Sequence, residues 1–201
     1  MKPSDILSGE HRVIEQVLNC LEKIAAACRR DGRLDGRSAR EAIDFFRNFA
    51  DKCHHGKEES YFFPAMEAKG FSRESGPTGV MLHEHDQGRS YVRAMNESVE
   101  AAAAGDVPAC AKFTNNAAAY VDLLREHIQK EDHCLFGMAN QALSAADQQT
   151  LLAAFAQVEA EEMGADTHEK YLGLANELAD RWNVPRAETT LAGHHACSCG
   201  H

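Results

Sequence analysis

Residues His54 to Met66 read HHGKEESYFFPAM, and residues 127–139 read HIQKEDHCLFGMA. Each places a histidine four residues before a glutamate, His55 before Glu59 and His127 before Glu131, and then runs into apolar residues about a turn later. A second phrase also occurs twice: Glu10-His11 opens EHRVIEQVL and Glu84-His85 opens EHDQGRSYV. His11 and His85 are 74 residues apart; His55 and His127, like Glu59 and Glu131, are 72 apart. Three near-equal offsets indicate a helical hairpin that occurs twice with the same polar groups at matching points.

The surrounding pattern is helical. Ser4 reads as an N-cap, and His11, Ile14, Leu18, Leu21 and Ala25 fall on one face of a helix running to about Arg30. RDGRLDGRS breaks the chain before a second helix from about Ser38 to Met66, with Ile43, Phe46, Phe49 and Phe62 as its apolar stripe. KGFSRESGP is the next break. A third helix is expected from about Pro77 to Ala104 and a fourth from about Pro108 to Leu143. Ser144 caps a fifth ending near Gly164, and a sixth spans about Thr167 to Trp182. The expected fold is all-α: an antiparallel up-down four-helix bundle over about 4–143 with two additional C-terminal helices over about 144–183. These form one domain over 1–185, followed by a His/Cys-rich tail at 186–201.

The formal charge of -10 disfavours nucleic acid or an anionic membrane as partner, since both call for a basic face. No stretch approaches the ~20 apolar residues of a membrane span, and MKPSDILSGEH lacks the apolar core of a signal peptide. A cytoplasmic location is expected. Seven cysteines at irregular spacing do not make a secreted disulfide framework.

At ~1.5 Å rise per residue, His11, Glu59, His85 and Glu131 lie in one layer near one end of the bundle. His55 and His127 are one turn deeper on the same faces. Burying four imidazoles and two carboxylates without partners is costly. Metal ions are the usual solution, with two carboxylates bridging and two histidines on each ion; iron, manganese or zinc suit such donors, and dinuclear iron suits the mixed set best.

The order His, His-x-x-x-Glu, His, His-x-x-x-Glu resembles the hemerythrin-like (HHE cation-binding) family over roughly residues 4–140. The resemblance implies that His11, His55, His85 and His127 are terminal ligands of two non-haem irons, oxo- or hydroxo-bridged, with Glu59 and Glu131 as bridges. Oxygen-carrying members place His-x-x-x-His on the third helix; here the residue four after His85 is Arg89. That leaves four histidines, two per iron, and about one open position on each ion. The implied function is to bind or sense O2, NO or peroxide, or to handle iron, with a protein partner if the chain is a sensor. A peroxide-reducing, catalase-like enzyme is the alternative, and a metal-free helical interaction module in which the histidines satisfy one another is the third.

Neighbouring residues compete for these roles. Asp132 follows His127 by five, but the repeat favours Glu131. His54 paired with Glu58 would turn the ligand face by ~100° and expose Phe62, so this pair is expected outside the ligand set. Glu10 and Glu84 are expected on solvated faces and Cys134 in the core. The tail residues His194, His195, Cys197, Cys199 and His201 could bind Zn²⁺, Ni²⁺ or Cu⁺, by default only adventitiously.

Overall fold

The structure, a computed structural model, describes residues 1–163 and 167–188; His194, His195, Cys197, Cys199 and His201 of the tail lie outside the described residues. Helix α1 spans Pro3–Asp31 and stops at Gly32, whose φ of 66° returns its N–H to the Cys28 carbonyl at 3.0 Å. Helix α2 is continuous over 36–67. Its cap is Asp35, whose carboxylate accepts from the Arg37 and Ser38 amides at 3.1 and 3.2 Å. Helix α3 spans Pro77–Ala103, and α4 covers 107–142 behind Asp106, which accepts from the Ala109 amide at 2.8 Å. Helix α5 covers 145–163 and opens with a reciprocal Ser144–Asp147 cap; α6 spans Thr167–Trp182. Pro3, Pro77 and Pro108 each sit in a first turn, where a missing N–H costs nothing. Among the described residues there is no strand, and none of the helices is long and apolar enough to cross a membrane.

Helices α1 to α4 form the expected bundle, each touching the next and α4 closing on α1. Helix α6 lies against α1 and α2, tied by Gln16–Asn176 at 3.2 Å and Tyr171–Asp44 at 3.1 Å. Two apolar clusters fill the interior. The larger holds Ile14, Leu18, Phe45, Phe49, Met95 and Phe113; the smaller holds Leu7, Phe62, Phe63, Met81, Phe136 and Phe155. The histidines lie between them along the helices, so the polar layer is closed on both sides by apolar side chains.

Helix α2 departs from regular α geometry. Phe46–His55 and Glu58–Phe62 are π-helical, with the Gly56 and Phe63 amides reaching back five residues to Asp51 and Glu58. Glu131–Leu135 of α4 is wound in the same way. A wider turn advances each residue by less than the ~100° of an α-helix, which lets adjacent residues share a face.

Candidate metal centre

Seven buried side chains meet in the polar layer: His11 from α1; His54, His55 and Glu58 from α2; His85 from α3; His127 and Glu131 from α4. They form two donor sets, His55–Glu58–His85–His127 and His11–His54–Glu58–Glu131, with the donor atoms of each set within 4.8 Å of one another. Five of the six residues singled out from the sequence, His11, His55, His85, His127 and Glu131, are brought together.

Glu59 is not. Its carboxylate is partly exposed and turned outward, 2.7 Å from His85 Nδ1 and 2.6 Å from the Arg89 guanidinium. Glu58 takes the inward position, and His54 joins His55. Glu58 and Phe62 are four residues apart and share a face, so both are buried and an inward Glu58 does not expose Phe62; the π-helical winding is what lets the consecutive His54 and His55 both face inward.

The repeat is therefore read at 73 residues. His54, Lys57, Glu58 and Glu59 fall on His127, Lys130, Glu131 and Asp132. The Lys-Glu-acid triplet after each histidine was the available signal. The contacts follow this register. His54 Nδ1 bonds Glu10 at 2.9 Å and His127 Nδ1 bonds Glu84 at 2.9 Å. The other oxygens of Glu10 and Glu84 take Lys57 and Lys130. Asp132 accepts from His11 Nδ1 at 2.9 Å, from Ser8 at 2.8 Å and from Arg12, as Glu59 does from His85 and Arg89. Glu10 and Glu84 are thus each held by an imidazole and an ammonium, Glu10 out of solvent and Glu84 at its edge. Glu10 is fully buried, and against the upward push of burial Lys57 and His54 hold its carboxyl down to about 2.

A carboxylate on Nδ1 fixes the hydrogen there and leaves a lone pair on Nε2. These lone pairs face inward and meet: His11 and His54 Nε2 are 3.1 Å apart, His85 and His127 Nε2 3.2 Å. Such pairs repel unless a cation lies near both. Glu131 comes within 3.2 and 3.3 Å of His11 and His127 Nε2, and Glu58 within 3.4 Å of His85 Nε2. At these separations neither inner carboxylate has a hydrogen bond of good geometry, and His55 has only Asp51, 3.4 Å from its Nδ1. Buried, unpaired carboxylates among imidazoles that outer carboxylates orient are the donor chemistry of a metal centre, and the residues fit one.

Without metal the same layer takes up protons. Burial, then the Glu131 charge, pushes Glu58 well above the carboxylate range. Burial alone would lower His127, but Glu131 and Glu84 hold it up to about 9. Metal uptake at pH 7 should therefore release about one proton or more per chain, and affinity should fall as pH falls. Calorimetry in buffers of different ionisation enthalpy reads this directly; a buffer-independent enthalpy would contradict it.

The family profile described as the hemerythrin HHE cation binding domain matches residues 2–139. The chain belongs to the hemerythrin HHE cation-binding family. Uncharacterized proteins of Mycobacterium bovis and of two strains of Mycobacterium tuberculosis are each 27% identical to it over 145 residues, 72% of this chain and 56% of theirs. The chain thus matches about half the length of these relatives. No solved structure matches it.

Around this centre neighbouring residues take other partners. Cys134, expected in the core, is exposed, because the π-helical turn at Glu131–Leu135 carries it outward. Glu15 pairs with Arg12 at 2.9 Å and not with a histidine. His168 of α6 sits 5.4 Å from the Phe49 ring. Lys57 is fully buried, bonded to Glu10 and at 2.6 Å to Glu159 of α5, with its ammonium over the Phe155 ring; Lys130 has 41% of its side chain exposed. The C-terminal helices therefore cover one half of the centre and not its partner half.

Proposed function

We propose that the layer holds two non-haem irons and that this centre binds or senses a small ligand such as O2, NO or peroxide. The observation that carries the reading is the pair of donor sets sharing Glu58, with Glu131 between His11 and His127. Imidazole and carboxylate suit iron, and when bound it supplies an exchangeable position and a redox couple. The donor count differs from the two-plus-two set read from the sequence: three imidazoles on the His55 side, two on the His11 side. Each set offers four protein donors, so a small ligand would complete either position.

The chain's own contribution is orientation and exclusion of water. The outer carboxylates keep hydrogen on Nδ1 of four imidazoles. Phe136 stacks on His11 at 5.5 Å and Phe63 on His85 at 5.8 Å, keeping the layer dry. Protein purified from iron-supplied cells should contain about two irons per chain and show ferric absorption. A stable spectral change with O2 or NO supports ligand binding; sustained oxygen evolution from peroxide would move the reading to an enzyme. Metal content near zero after iron supply would sink both and leave the interaction module.

A further inference from the structure

A cavity of about 170 Å³ opens on the α2–α3 side of the bundle. Its deep end is made by His55, Phe46 and Tyr120, all buried, and its rim by the exposed Arg47 and Arg93. Arg89 and Asp51 stand between, bonded to each other at 2.8 Å. Arg47 and Arg93 make the rim of the cavity cationic on a chain of net charge -10.

The arginines are not equivalent. Arg89 is spent on Asp51, Glu59 and Asp86. Arg47 and Arg93 make no ion pair or hydrogen bond to the described residues, although Arg93 lies in the field of Glu97. Below them the wall is apolar: Phe46, Val92 and the Tyr120 ring, with Gly88 adding no side chain. His55, its Nδ1 3.4 Å from Asp51, closes the floor. A volume of about 150 Å³ holds a benzene ring.

We propose that this cavity binds a small organic carboxylate of benzoate size. Arg47 and Arg93 take the carboxylate at the rim, and the apolar body lies on Phe46, Val92 and Tyr120. The occupant would end beside His55, on the three-imidazole side of the layer. The inference goes beyond the iron reading: the cavity stands whichever cation His55 holds.

The test is a calorimetric titration of the full chain with sodium benzoate, on metal-loaded and chelator-treated protein. Saturable one-to-one binding to either form is expected. The double variant Arg47→Glu/Arg93→Glu should bind at least about tenfold more weakly, with metal content and melting temperature unchanged, because both residues are exposed and neither belongs to a donor set. Benzyl alcohol, lacking the charge, and acetate, lacking the ring, should each bind at least about tenfold more weakly than benzoate. Absence of benzoate binding in both forms, equal binding by the arginine variant, or acetate matching benzoate would each overturn the proposal. Failure of the iron reading is separate, since metal content alone decides it.

Discussion

Glu58→Gln should strip the purified chain of metal, to below about a tenth of wild type, whereas Glu59→Gln should keep most of it. Glu58 belongs to both donor sets, and the variant removes a charged donor from each. Glu59 only orients His85, and losing such an outer partner costs about 10- to 100-fold in metal affinity. The stability of the two states should move in opposite directions. In metal-free protein Glu58 is buried without a hydrogen-bond partner, so Glu58→Gln should be neutral or stabilising by about 1–3 kcal/mol. Wild type at free metal of about 1,000 Kd gains ~4 kcal/mol over its metal-free form. At about 2–4 °C per kcal/mol for a chain of this size, that is a rise in Tm of about 8–16 °C, which Glu58→Gln should not show. Metal analysis and melts with and without chelator read both effects. Metal retained by Glu58→Gln and lost by Glu59→Gln would restore the register of His55 and Glu59.

The second large effect concerns a lysine. Lys57→Met should cost about 3–5 kcal/mol, because it leaves the fully buried Glu10 without its ammonium partner. Lys130→Met removes the matching partner of Glu84, but there the lysine is 41% exposed and water can replace it, so the cost should stay within about 1 kcal/mol. Both are measured by denaturant unfolding of metal-free protein, which keeps metal affinity out of the comparison. Adding Glu10→Gln to Lys57→Met should recover most of the loss. Equal costs for the two lysines would mean that α5 does not enclose Lys57 as described.

Why one half of the centre was legible and part of α2 was not follows from the same helices. Helix ends were written in local chemistry: Ser144, the prolines of the first turns and the Gly-rich breaks act within a few residues, and the observed bounds fall close to the expected ones. The layer itself was legible because a repeat places like groups at like depth. The choice between Glu58 and Glu59 was not, because each has a histidine four residues before it, and neither was the use of both His54 and His55, because that reading assumed 3.6 residues per turn throughout. The π-helical winding of Phe46–His55 breaks the assumption, and only the second copy carries a clue: Lys130-Glu131-Asp132 aligns with Lys57-Glu58-Glu59. The pairing of Glu10 and Glu84 was equally hidden, since the imidazoles and ammonium groups that compensate them arrive from other helices.

The wide turns of α2 have a consequence for how such a chamber changes over time. Two consecutive imidazoles serve one cavity only because the backbone there accommodates a surplus residue. Dropping that residue would tighten the coil and rotate one imidazole out, while α1, α3 and α4 stayed where they are. The inventory of nitrogen donors, and with it the number of exchangeable sites, then depends on a single-codon insertion or deletion as much as on any change of amino-acid type.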